Sequence, residues 1–282
     1  MISRDPTSEE ICHYERFFEA QDACGGIQAS LQTLLDSLEF KQRVRPAVEA
    51  ATLGSAALAD AVPMRHAVSL GTHCYASWLL QDMGLRRYSS PFDWLYSSPK
   101  LVAHCLEDDF TTLLDRAHHE QWGPHAQALH RFYHHGFDTE AAPDGHVPLF
   151  FHHNPVADED HARLVRSVER LRCLLDSTDT KLFFLLVAGN RPHKDLTPAI
   201  ENLAAKLDAR TKNATLLAVV HSSVTDQAGS HSARLWQRGP HSLHALHSSS
   251  NMVEGLSFAH QFDNLLVKRL IYQHRFDLAP TP

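Results

Sequence analysis

Apolar residues recur at two spacings along this chain, and the change from one to the other marks out its elements. Residues 182–188, LFFLLVA, form a continuous apolar run, the pattern of a strand buried on both faces. Residues 215–220 repeat it, and residues 67–70 give a shorter version. Helical spacing governs residues 158–175, where Leu164, Val165, Val168, Leu171, Leu174 and Leu175 fall on one face. Residues 74–83 read as a helix closed by Gly84. Residues 99–114 and 258–272 read as helices, as do 197–209, with Thr197 as cap and Pro198 at the first helical position. A short strand is expected at 147–153, mixed helix and loop at 117–145, and polar loop at 222–250. Strands alternating with helices predict an α/β or α+β fold around a central sheet. There is no internal repeat.

Residues 1–62 read as a helical N-terminal extension, and residues 63–282 as the main domain. Within the extension, 10–20 is amphipathic, and Leu31, Leu34, Leu35 and Leu38 align on one face of 27–44. Residues 52–62 are Ala-rich, a linker or one more helix. The words LQTLLDSLEFKQRV resemble the tail of a small helical module found beside glycosyltransferases and surface-polysaccharide proteins.

Composition narrows the function classes. Hydrophobic residues make up 43% and charged residues 21%, ordinary for a soluble globular protein. No apolar run is long enough to span a bilayer, and the polar, acidic start MISRDPTSEE is unlike a secretory signal, so a cytoplasmic location is expected. A net charge of −7 without a Lys/Arg block argues against nucleic acid as a partner. The five cysteines are scattered without a CxxC pair, which suggests neither a disulfide framework nor a cysteine zinc site. GxGxxG and GxxxxGK[ST] are both missing, so no nucleotide cofactor is expected. The 188–194 loop, AGNRPHK, follows a buried strand and offers Arg191 and Lys194 to a phosphate or carboxylate; a solvated loop is the plainer interpretation.

The chemistry centres on Cys74. It follows a short strand and a Gly turn at the start of a helix, where backbone N–H groups and the helix dipole favour the thiolate. The bland alternative is a buried structural cysteine, because a free thiol packs as a small apolar group.

The stretch SLGTHCYASWLLQDMGLRRYSSPFDW resembles the opening motif of a bacterial family of papain-like cysteine peptidases. The matching positions are Ser69, Leu70, Gly71, Cys74, Gly84, Leu85, Arg86, Ser89, Pro91, Phe92, Asp93 and Trp94. The family also carries a Phe-rich strand ending in His-Asp before a long Arg-rich helix. Here FFHHNP precedes a helix with Arg163, Arg166, Arg170 and Arg172, so His153-Asn154 or His152-His153 replaces the His-Asp pair. The resemblance covers about residues 67–187. It implies a papain-like core in which Cys74 is the nucleophile, a later His is the base, and an Asn or Asp orients the imidazole.

Alternation along a strand lets only one of His152 and His153 face Cys74. His153 is favoured, because Asn154 then sits where the family has Asp, and His152 is the reserve. Candidate orienting groups are Asp93, Asn190 and Asn154; Asp93 could equally pin its own turn, and Asn154 could cap the helix that follows. The Cys74 N–H with that of Thr72 or His73 would supply an oxyanion hole, with help from Ser69. The substrate expected is a peptide, an amide or another acyl donor, turned over by hydrolysis or passed to a sugar or polymer acceptor. Rival classes are a binding or assembly protein that keeps the fold without the chemistry, and a His-ligated metalloprotein. The metal interpretation draws on 22 histidines, on His130 and His134 at i, i+4, and on His241, His244 and His247 at every third residue. Without HExxH or a Cys pair, no metal site is expected.

Overall fold

The computed structural model describes residues 61–123, 127–133, 148–188, 195–223, 230–248, 250, 253–254 and 257–280. The expected helices of the extension, Asn190 and His134 lie outside them.

The chain is α/β. A five-stranded sheet has the order β1-β4-β5-β7-β6. Its strands are β1 (His66–Ser69), β4 (Lys181–Val187), β5 (Ala214–Ser223), β7 (His241–Ser248) and β6 (His231–Arg238). The first four are mutually parallel, and β6 closes one edge antiparallel to β7. Parallel strands share one carboxyl edge, where the loops of an open α/β sheet gather ligands and chemistry. Cys74 lies just beyond that end of β1.

Side-chain parity along β4 sorts the core into two layers. Leu182, Phe184 and Leu186 meet α1 (Cys74–Asp82) and α6 (Gln261–Ile271) through Tyr75, Leu79, Leu80, Val267 and Leu270. Phe183 and Leu185 face the opposite way. There they join a layer containing Leu101 of α2 (Pro99–Glu107), Leu171 and Leu174 of α4 (Asp158–Asp176), and Leu203 and Leu207 of α5 (Thr197–Arg210). Helices therefore cover both faces, which explains why the parallel strands read as unbroken apolar runs. Gly84 ends α1 at φ +69°, as its position predicts.

Four segments differ from the sequence expectation. The 99–114 helix breaks at Asp109 and Phe110, both at positive φ, leaving α2 and the short α3 (Thr111–Leu114). A hairpin of β2 (His119–Trp122) and β3 (Gln127–His130) occupies part of 117–145. His130 is therefore a strand residue, and His134 lies outside the described residues. Among the described residues of the 147–153 segment there is no strand, and Phe150 alone makes bridges, to Leu95 and Ala128. Finally, β6 and β7 fill much of 222–250, and beyond it the two-residue strands β8 (Val253–Glu254) and β9 (Ser257–Phe258) pair with each other.

The polar sequence of β7, HSLHALHS, hides a sheet strand because His241 and His247 are hydrogen-bonded to neighbouring elements. His241 accepts from the Leu216 N–H through Nδ1 (2.9 Å) and meets Asp208 through Nε2 (2.8 Å). His247 meets the Ser222 hydroxyl (2.8 Å). Parity turns His244 to the face opposite His241 and His247, and those two are six residues, roughly 20 Å, apart along the strand. The every-third-residue spacing thus builds no common ligand set.

Several histidines are buried in the neutral form. His130 donates from Nε2 to the Thr112 carbonyl (3.1 Å) and accepts the Tyr133 N–H (3.3 Å), and burial pushes its pKa down to about 3. His274 is lowered to about 4, by burial first and by His244 second. The unfolded chain binds these protons at about pH 6.5. Stability present above that value should fall as pH drops from about 6.5 toward these folded values. Urea midpoints measured from pH 7.5 to 4.5 should decline, and His130→Gln should flatten the decline; a flat wild-type profile would contradict it. A second outcome concerns Gly71, which sits at φ +80°, where an added Cβ would lie 2.6 Å from Ser97 Oγ and 2.7 Å from the Phe92 carbonyl. Gly71→Ala should cost about 1–3 kcal/mol in a denaturant titration.

Candidate functional site at the carboxyl end of β1

The matched motif builds one junction. β1 exits through Leu70, Gly71 and Thr72 onto the 89–97 segment. Ser97 Oγ donates to the Leu70 carbonyl (2.7 Å) and accepts the Thr72 N–H (2.8 Å). Ser90 Oγ donates to the Ser69 carbonyl (3.2 Å). The Gly71 N–H is taken by Ser69 Oγ (3.1 Å), and the Thr72 hydroxyl donates to the Leu186 carbonyl on the neighbouring strand. Thr72 itself lies at φ +68°, so the chain reverses sharply before α1. Ser69 and Thr72, expected near an oxyanion, are thus framework groups: their hydrogen bonds are spent within the turn.

α1 begins at Cys74, with His73 as its cap in extended geometry. His73 Nδ1 accepts the Tyr75 N–H (3.2 Å) and lies 3.6 Å from Cys74 Sγ. This pairing of adjacent residues was not singled out from the sequence, where His73 entered only as a backbone donor. The signal available was a polar residue at the cap position directly before the thiol. Burial raises the Cys74 pKa, and the backbone N–H groups of Cys74 and Tyr75 offset only part of that. Burial lowers His73, and His152 lowers it further. Desolvation therefore outweighs the helix terminus, and the resting pair is a neutral thiol beside a neutral imidazole.

The two candidate bases part company. His152 packs edge-on against Trp94 (ring centroids 5.3 Å) and is the imidazole that acts electrostatically on His73. Its own pKa is lowered, by burial and then by His153. His153 turns toward Asp160, with Nδ1 3.7 Å from Oδ1. Tyr96 lies edge-on to His73 (5.7 Å) and to Phe151 (5.5 Å), joining the FFHH segment to the cap of α1.

Asp93 and Asn154 both serve turns. Asp93 is buried, and its Oδ2 accepts the Ser90 N–H (2.9 Å) and lies 3.7 Å from Arg86 Nε. Burial raises its pKa to about 6 against the pull of Arg86. Arg86 also donates to Ser77 Oγ (2.8 Å) and lies over the Trp94 ring at 5.7 Å, which ties α1 to the turn. Asn154 Oδ1 accepts the Val156 N–H (3.1 Å), its own N–H goes to Asp160 (2.8 Å), and its side-chain amide donates to Gln121. It organises the entry to α4.

Two further groups position α1 and carry no local sequence signal, because their partners are distant in the chain. The Tyr75 hydroxyl donates to Asn264 Oδ1 (2.6 Å), and Asn264 Nδ2 donates to the Phe258 and His260 carbonyls (3.0 and 3.2 Å). At the other end of α1, Lys268 Nζ meets Asp82 at 2.9 Å, both largely shielded. Among the described residues no cluster of three His, Cys, Asp or Glu could hold a metal ion. No helix among them is long and apolar enough to cross a membrane.

If Asp93 is a turn carboxylate, Asp93→Asn should fold and leave Cys74 reactivity within about twofold of wild type. Asp93→Ala should cost about 1–3 kcal/mol by leaving the buried Ser90 N–H unpaired. Loss of Cys74 reactivity in a folded Asp93→Asn would make it an orienting group instead.

Neither a curated protein nor a solved structure matches the chain. One family model does, over residues 65–224, from the strand that leads into Cys74 to the far end of β5. That span is more than half of the chain and includes the junction, both candidate imidazole positions and three of the four parallel strands. Its description is "Putative papain-like cysteine peptidase (DUF1796)", and the chain belongs to this family.

Proposed function

We propose that the protein is a cysteine-dependent acyl-transfer enzyme, with Cys74 as nucleophile and His73 as the group that takes its proton. The observation that carries this is the 3.6 Å approach of Cys74 Sγ to His73 Nδ1 at the first residue of α1. The thiol proton passes to Nδ1 while Sγ bonds to the acyl carbon. The Tyr75 N–H, which the imidazole holds in the resting state, then turns to the sulfur, one of the two backbone groups that favour the thiolate. The backbone N–H groups of His73 and Cys74 are the donors proposed for the oxyanion.

Collapse of the tetrahedral intermediate breaks the bond to the leaving amine or alcohol, which takes the proton back from the imidazolium. Water then releases a carboxylic acid, or an acceptor hydroxyl takes the acyl group. His152 and the buried surroundings keep His73 neutral, so it is ready to accept a proton at neutral pH. His153 faces Asp160 and is assigned to substrate contact rather than to the base.

The test is capture of an acetyl group from p-nitrophenyl acetate, read by intact mass and mapped to a residue. Wild type should carry one acetyl on Cys74, Cys74→Ala none, and His73→Gln should acylate about 100-fold more slowly. Because the His73 pKa is lowered, acylation should persist below pH ~6.5, the ordinary imidazole value. Acetylation spread over Cys105 and Cys173, or unchanged in His73→Gln, would contradict the mechanism.

A further inference from the structure

A hollow of about 280 Å³ opens between the 89–95 turn and the first half of α4. Its apolar wall is Trp94, Leu95, Phe150 and Leu164. Its other side is cationic. Arg163, Arg166 and Arg170 line it at i, i+3 and i+7, which places three guanidinium groups on one face of α4. Asp160 is the one carboxylate among the described lining residues, and it already faces His153 and accepts the Asn154 N–H (2.8 Å).

The three arginines differ in what they already hold. Arg163 is engaged by Glu159 at 2.6 Å. Arg170 donates from one terminal nitrogen to the Ser89 carbonyl (3.2 Å), but its Nε is buried and has no hydrogen-bond partner among the described residues. Arg166 is exposed and makes no ion pair among the described residues. A buried donor without an acceptor costs about 1–3 kcal/mol. An apolar guest alone would leave that cost in place, whereas a guest with an anionic oxygen would remove it.

From this cavity we infer a binding site for an anionic group, carboxylate or phosphate, carried on an apolar or aromatic body. The body lies along Trp94 and Phe150, and the anion meets Arg166 and Arg170. The volume admits one group the size of an aromatic side chain, not an extended polymer. Trp94 is shared with the thiol site: its ring forms the wall of the hollow and packs on His152 at 5.3 Å, next to the Cys74–His73 pair. As the recognition pocket of the acyl donor, the hollow rests on the function proposed above; as an anion site it stands independently.

The experiment is isothermal titration calorimetry of the full chain with three probes. These are N-acetylphenylalanine, its neutral amide, and phenyl phosphate. At least one anion should bind, more weakly as salt is added, and the amide should bind at least tenfold more weakly than the tighter anion. The tighter of the two anions identifies the carboxylate or the phosphate source. Arg166→Glu, at an exposed position that packing does not need, should weaken anion binding at least tenfold, the size expected for a charge-assisted hydrogen bond. Arg163→Gln, at a residue already paired with Glu159, should weaken it less.

Three results would overturn the site: no binding of either anion, equal binding of the amide, or an Arg166→Glu variant indistinguishable from wild type. Cys74→Ala should retain full anion binding. Anion binding through Arg166 without acetyl capture would leave the hollow standing and defeat the acyl-transfer mechanism; capture without anion binding would do the reverse.

Discussion

The site depends on one steric constraint: the exit of β1 must pass within contact distance of the 89–97 segment. At Gly71 no side chain fits, because the Phe92 carbonyl and Ser97 hydroxyl occupy the space a Cβ would need. The close approach lets Ser90 and Ser97 satisfy the backbone of Ser69, Leu70 and Thr72, which a strand running into a tight reversal would otherwise leave unpaired. Asp93 and Arg86 then fix the segment that fixes the strand. Most of the shared family motif is accordingly architecture, and it delivers a single chemical group, the thiol at the head of α1.

That thiol sits between opposing effects. A helix N-terminus favours the thiolate by fractions of a kcal/mol up to about 2 kcal/mol in partly buried settings. Burial acts in the other direction and dominates here, so Cys74 is raised rather than lowered. His73 is likewise neutral. A neutral pair does not prevent catalysis; the proton need only move as the acyl carbon is attacked. In the proposed mechanism the cost falls on the transition state, where the Tyr75 N–H and the end of α1 would meet developing negative charge. The rigid placement of α1, held by Tyr75–Asn264 at one end and Asp82–Lys268 at the other, matters because those dipoles act only over short distances.

Much of this was legible in the chain. The apolar runs of β4 and β5 gave a sheet buried on both faces, the periodicity of 158–175 gave α4, and the strand–turn–helix context gave Cys74 its place. What escaped did so for physical reasons. Two of the imidazoles of β7 bond to β5, so its polar sequence shows a loop by hydropathy. The FFHH segment looked like a strand, yet only Phe150 bridges, and alternation was no guide to where its two histidines point. His153 meets Asp160 across seven residues of turn and helix, a contact that spacing does not reveal. Asn264 and Lys268 meet α1 from nearly two hundred residues away and leave no local trace.

The central claim is that His73 activates Cys74. The most direct measurement is the rate of iodoacetamide alkylation at pH 7, resolved by residue, in wild type and in His73→Gln. Cys74, a protonated thiol at rest, should react with help from His73 and slow in the variant, while the exposed Cys173 keeps its rate in both. A Cys74 rate untouched by His73→Gln would contradict the account and leave Cys74 a structural thiol.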